Sequence, residues 1–292
     1  MESKVADVNN ALPMRYPFDW RGLEAFRYPR DVRGLPLVRV KGALRYNPIT
    51  IAQFGLFSLQ QYDRHRDERD AAQARACTGW LMAHLERWRG AIRAWVFDYD
   101  LDFYGPTAPW ISGMAQGQGI SLLLRCAAFF SEDEAAEPTH GAFQAFLYPV
   151  AEGGVVAHFP DGALVFEEFP TQPPSLVLNG HMFALLGIYD YARFWQSKEA
   201  ADLFEVAVQG LKRNLERYDT GFWNRYDLHP TERLASPMYV KVHVRLLRIL
   251  AELTGERAFR ETAERWQSYL RSPVCRLRWL AQKILEKVRL RL

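Results

Sequence analysis

The chain has 292 residues, of which 49% are apolar and 24% charged, with a net charge of +3. That length and balance suit a folded chain with a large core and exclude a wholly disordered or fibrous one. No apolar run approaches the length of a membrane-spanning helix, and the polar stretch 1–14 lacks the apolar region of a secretory signal. Three separated cysteines (Cys77, Cys126, Cys275) make neither a disulfide framework nor a CxxC metal site, which fits a reducing, cytoplasmic compartment.

In chain order, residues 1–45 are rich in Pro and Arg without a sustained period and read as an extended arm. Pro48 opens a helical pattern that fades at 63–70. Helical spacing then predicts helices over about 69–88, 113–130, 134–148, 176–195, 198–217, 237–253, 256–270 and 274–291. Two stretches between them alternate like strands: 91–104, and a hairpin over 153–169 turning at Pro160-Asp161-Gly162. Helices in consecutive pairs with hairpins at the joins predict a mainly α fold, an incomplete (α/α) toroid with its cleft on the hairpin side.

The charge is unevenly placed. Seven basic residues and one acid fall in 271–292, a local net of +6 that leaves 1–270 at −3, so the body carries no nucleic-acid footprint. Val274, Leu277, Ala281, Ile284 and Val288 form an apolar stripe flanked by those basic residues. The pattern fits a helix lying on anionic lipid, peripheral to a membrane, and equally a helix packed on the body with a solvated basic face.

Five constellations carry chemistry. At 110–121 (WISGMAQGQGIS), Gln116 and Gln118 share a helix with three glycines, each costing about 1 kcal/mol relative to alanine. Such glycines permit close backbone approach, either to another helix or to a ligand. Glu167 and Glu168 end an apolar strand, so their side chains leave on opposite faces. Glu167 reads as the solvated acid, and Glu168, beside Phe166 and Phe169, as a desolvated carboxylate suited to act as a base. Asn179, ahead of a long apolar helix, is either its N-cap or an amide that reads a substrate carboxylate. Tyr226, beyond the Asp219-Thr220-Gly221 turn, has no core period, and Tyr239 shares a helix face with His243 one turn on. Asp98, Asp100 and Asp102 alternate as calcium ligands could, but lack the glycine and terminal glutamate of an EF-hand loop. No HExxH, P-loop, dinucleotide or GxSxG motif occurs, so no metal or cofactor is expected. Aromatic residues reach 14%, a supply of flat faces of the kind that cover sugar rings, and equally of core.

Several of these segments occur together in a recognisable order: MAQGQ at 114–118, EEFPT at 167–171, SLVLNG at 175–180, LGIYD at 186–190, and YDTG with YDL at 218–221 and 226–228. They resemble the C-terminal helical domain of the D-glucuronyl C5-epimerases, enzymes that convert glucuronate to iduronate within heparan-type chains. PITIAQFGL at 48–56 resembles the segment before that family's β-sandwich, so the likeness covers about 46–270. The chain departs from the pattern by leaving no room for the β-sandwich, by Phe169 where the family has tyrosine, and by Ser236 where it has arginine. The resemblance implies a catalytic toroid over 46–270, between the arm (1–45) and the basic amphipathic helix (271–292) that composition and charge mark out.

By that resemblance, Glu168 and Tyr239 are the opposed acid/base pair, with Tyr226 beside them. Asn179 would hold the uronate carboxylate, Gln116 and His243 would complete the floor, and Trp110 would face the sugar. Tyr46 would close the cleft from the arm, and Arg225 or Arg245 would neutralise the carboxylate. The implied partner is a uronate-containing oligo- or polysaccharide, lipid-linked if the basic helix meets a membrane, acted on by a homodimer. A polysaccharide lyase shares the first proton abstraction and a glycan-binding protein needs none of it. A glycoside hydrolase needs two carboxylates at least about 5 Å apart across one bond, which the diverging Glu167 and Glu168 do not supply by themselves, although a distant Asp could join one of them.

Overall fold

A computed structural model describes residues 12–21, 27–231 and 233–289, with side chains as far as Glu286. Ahead of the helices, β1 (Val38–Val40) and β2 (Ala43–Arg45) form a small hairpin. Helix α1 (Pro48–His65) starts where Asn47 accepts the Thr50 N–H and proline sits in the first turn, and it ends with Arg66 in the left-handed conformation. Then follow α2 (Glu68–Ala83), α3 (Gly113–Phe130), α4 (Pro138–Phe143), α5 (Leu178–Trp195), α6 (Lys198–Asn214), α7 (Pro237–Thr254), α8 (Arg257–Arg271) and α9 (Pro273–Arg289). Between α2 and α3 lie the antiparallel strands β3 (Leu85–Arg87), β4 (Arg93–Phe97) and β5 (Trp110–Ile111). Between α4 and α5 lies the hairpin of β6 (Val156–His158) and β7 (Leu164–Phe166).

The helices make two layers. Helix α1 touches α3, α3 touches α5 and α5 touches α7, while α2, α6 and α8 each pair with the inner helix before it. Because each outer helix returns the chain, the inner helices run in one direction, and the result is an incomplete (α/α) toroid. Burial follows: α3 is buried all round from Gly113 to Ala127, whereas α6 and α8 bury one face only. The same topology gathers β1–β2, β3–β5, β6–β7 and the loop 219–236 at one end, where the inner helices begin.

Helices α3 and α5 approach almost to backbone contact. A Cβ on Gly187 would lie 2.2 Å from the Gly117 Cα, and one on Gly117 would lie 2.8 Å from the Ala184 Cα. The glycines of α3 are therefore explained by packing and not by a ligand. A buried ion pair crosses the same seam, Arg125 donating to both oxygens of Asp190 with the Ser121 hydroxyl added. Tyr16, Phe18 and Trp20 are buried against the inner helices. Gln60 on α1 donates to the Tyr16 and Phe18 carbonyls, and Arg245 on α7 donates to those of Asp19 and Arg21. The arm thus spans from the first inner helix to the last.

Three expectations are corrected. The helix expected to Trp88 stops at Ala83, because 85–87 pair with β4 and the Trp88 indole donates to the Gly153 carbonyl. The helix expected over 134–148 is broken into α4 and flanking 3-10 turns; Pro138 removes a donor and Gly141 lies against the Arg93 side chain. The strand expected over 91–104 ends at Phe97, and Tyr104 and Gly105 both take positive φ. Asp98, Asp100 and Asp102 go to separate partners: Arg45, the Ala108 N–H and Lys41.

Candidate active site

Strand β7 delivers the two glutamates. The Glu167 N–H bonds the Val155 carbonyl and the Glu167 carbonyl accepts the Gly113 N–H, so the strand end is tied to β6 and to the start of α3. Alternation then sends the two side chains apart. Glu167 is not solvated, as its sequence position suggested, but fully buried. It accepts the Ser175 and Leu176 N–H groups at 2.9 and 2.8 Å and the Ser175 hydroxyl at 2.5 Å, holding the loop that leads into α5. Its pKa is raised by burial despite those donors.

Glu168 turns the other way, towards the first turn of α5, and is 6% exposed. Asn179 Nδ2 donates to its Oε2 at 3.3 Å. Gly180 makes room for it, since a Cβ there would lie 2.6 Å from that oxygen. Burial first, and then the Glu167 carboxylate, push Glu168 up to about 8, with the Asn179 bond opposing. The α5 N-cap is Val177, not Asn179, and Asn179 Oδ1 is buried without a partner among the described residues.

The loop 219–236 brings the phenols. Asp219 is held by Arg265, Trp266 and Tyr269 of α8, and the Leu178 N–H bonds the Tyr226 carbonyl, fixing Tyr226 at the start of α5. The Tyr226 and Tyr239 rings meet edge to face at 4.6 Å. Burial raises both hydroxyls, Tyr239 to about 12, and the Glu168 carboxylate raises both further. Glu168, Tyr226 and Tyr239 are thus one electrostatic cluster. His243 lies behind it, 6.3 Å from the Tyr226 ring. Its Nδ1 lies 2.5 Å from the Asn224 Nδ2, and its buried Nε2 has no partner among the described residues. Burial lowers it to about 3, so the ring is neutral.

A cleft of about 340 Å³ is lined among others by Trp88, Arg89, Tyr104, Trp110 and Thr171, while Glu168, Asn179, Tyr226 and Tyr239 do not line it. Tyr104 belongs to both regions: it lines the cleft, and its hydroxyl feels the Glu168 carboxylate. That hydroxyl donates a short bond to Asp227, and Phe169 packs behind it at 5.2 Å. Burial raises Asp227 to about 6, opposed by the Tyr104 bond and the Arg233 charge. Arg233 stacks on Phe103 and Tyr104, with Nη1 buried and unpartnered among the described residues.

Several expected site residues are occupied elsewhere. Gln116 donates to and accepts from the Trp95 backbone, both at 3.3 Å, and so joins α3 to β4 in place of forming a floor. Tyr46 donates to Asp31 and lies on Trp80. Arg245 holds the arm. Trp110 lines the cleft, but its indole N–H goes to the Tyr99 carbonyl and one face is stacked on Phe97 at 4.0 Å. Arg225 is half-buried in a bridge with Leu234, adjacent to Tyr226. Sequence reasoning missed Tyr104 and Arg233, and gave Asp227 no role although it stands in the YDL segment; that adjacency to Tyr226 was the available signal.

The architecture and the site's place on it define a helical-toroid protein with a polar cluster at the loop end of its inner helices. The solved structure of the unsaturated glucuronyl hydrolase from Bacillus sp. GL1 shares the fold, with a TM-score of 0.50 and 16% identity over 76% of this chain and 62% of that one. The chain itself belongs to the D-glucuronyl C5-epimerase family, whose C-terminus profile matches residues 89–268. It is 34% identical over 177 residues to the D-glucuronyl C5-epimerase of Caenorhabditis elegans, and 22% identical over 176 residues to an uncharacterised protein of Methanocaldococcus jannaschii. These matches take in 55% and 59% of this chain, but 29% and 56% of the relatives.

Proposed function

We propose that the chain is a uronate C5-epimerase acting on a glucuronate residue within a glycan. The observation that carries this reading is Glu168, buried and raised to about 8, sharing one cluster with the Tyr226 and Tyr239 phenols. A proton at C5 of a uronate is a weak acid, and its removal leaves an enolate-like dianion. A desolvated carboxylate near the working pH suits the base, contributing roughly 10²–10⁴-fold. The C5–H bond breaks, its proton passes to Glu168, and the electron pair is delocalised onto the uronate carboxylate. Tyr239 then gives its proton to C5 from the opposite face, and exchange with water resets both groups. Tyr226 adds a donor where charge develops, and Asn179 holds Glu168.

Charge on the substrate is met in two ways. The inner helices all start at this end, so their positive dipole ends face it. Arg233, stacked on Tyr104, would offset the uronate carboxylate. Trp88 and Arg89 at the cleft rim suit a flat sugar and an anionic neighbour, which supports a uronate-containing oligo- or polysaccharide as the partner. Incubating uronate glycans with the protein in deuterated water tests the reading by NMR. Deuterium at C5 with chain length unchanged is expected, and its absence in Glu168→Gln and Tyr239→Phe. Shortened products bearing a 4,5 double bond would make the protein a lyase, and no reaction with retained glycan binding would make it a binding protein.

A further inference from the structure

Helix α9 has two apolar faces, and the body uses only one. Its inner face carries Cys275 and Trp279, which pack on the core. The Trp279 ring stacks on Trp223 at 5.6 Å, and its indole N–H donates to the Ala235 carbonyl at 3.0 Å. On the other side Val274, Leu277, Leu280, Ile284 and Leu285 are 49–67% exposed. At helical spacing Val274, Leu277, Ala281, Ile284 and Leu285 form one stripe, pointing away from the docked face. The stripe therefore does not dock the helix onto the body, which was the alternative left open by its spacing. Val288 and the basic residues beyond Glu286 lie outside the described side chains.

The surroundings of the stripe are cationic. Arg271, Arg276 and Arg278 are exposed, Arg278 reaching over Phe222 at 4.1 Å on the stripe's edge. The sequence 271–292 holds seven basic residues against one acid. Candidate occupants differ in what they satisfy. A soluble polyanion would meet the charge and leave the stripe in water. A second copy would cover the stripe but bring two strongly basic segments together. An anionic bilayer takes the apolar side chains into its acyl boundary while its headgroups meet the arginines.

We infer that α9 docks the protein on an anionic lipid surface through Val274, Leu277, Ala281, Ile284 and Leu285. Through Trp279 the helix packs on Trp223 and Ala235 of the loop 219–236, the loop that also carries Tyr226. The glycan would then be one presented at a membrane. The docking itself rests on α9 alone and stands or falls independently of the catalytic reading.

Flotation of the full chain with vesicles of phosphatidylcholine, alone or mixed with phosphatidylglycerol, tests it. Binding to the mixed vesicles is expected to be at least about tenfold stronger than to the neutral ones, and to weaken with added salt. The double substitution L277E/I284E should reduce it at least about tenfold, with an unchanged circular-dichroism melt. The milder L277S/I284S pair covers the case in which glutamates disturb the helix. No binding, equal binding to both vesicles, or full binding by both variants overturns the inference. So does a dimer in solution that either variant dissolves while vesicle binding is absent, since a second copy would then be the occupant.

Discussion

At Glu168 the proposed chemistry and the folding equilibrium pull in opposite directions. The carboxyl holds its proton up to about 8 in the folded chain, against an ordinary value of 4.5. The folded state therefore binds more protons between those values, so its contribution to stability is full below about 4.5 and is lost as pH rises through about 8. Catalysis needs the ionised form. The prediction is a kcat/KM that climbs with pH to about 8, while thermal stability falls over the same range. In Glu168→Gln, kcat should drop roughly 10²–10⁴-fold and the loss of melting temperature between pH 5 and pH 9 should shrink. A Gln variant that destabilises in step with the parent as pH rises would show that Glu168 is not the titrating group. The divergence of Glu167 and Glu168 was legible because strand alternation is a local rule. Which of them was solvated was not, since the Ser175 and Leu176 donors that bury Glu167 arrive from a loop beyond Pro170.

The same dependence on distant partners operates between elements. Helix α5 carries Asn179 and Gly180 against Glu168 at one end, and Gly187 and Asp190 in the α3 seam further along. Gly187→Ala would force α3 and α5 apart, because its Cβ would overlap the Gly117 backbone. Overpacking of this kind costs about 1–3 kcal/mol, readable as a lower urea midpoint with unchanged slope. An unchanged midpoint would mean that the seam is looser than its geometry. The helix starts expected at 113, 198 and 237 hold, and in the structure each follows a serine that caps it: Ser112 for α3, Ser197 for α6 and Ser236 for α7. The break around α4 was less readable in advance, although Pro138 stood in view, because the contact of Gly141 with Arg93 joins segments far apart in sequence.

Across the whole molecule, the ring is incomplete and its interior needs filling. Phe18 does part of this, packing edge to face on Phe183 at 5.0 Å, while the backbone around it is held from α1 and α7. Phe18→Ala should cost about 3–5 kcal/mol in chemical denaturation, with the transition still single, since the cavity would open between helices that unfold together. Two transitions would instead mark the arm as separable. Helix pairing, the hairpins at the joins, the opposed glutamates and the shared face of Tyr239 and His243 could all be read along the chain, because periodicity, caps and alternation act over a few residues. The fates of Gln116, Tyr46 and Arg245, and the union of Tyr104 with Asp227 and Arg233, required the folded chain. Tyr104 and Asp227 are 123 residues apart, and their meeting depends on how two loops register at one end of the ring, which no local pattern encodes.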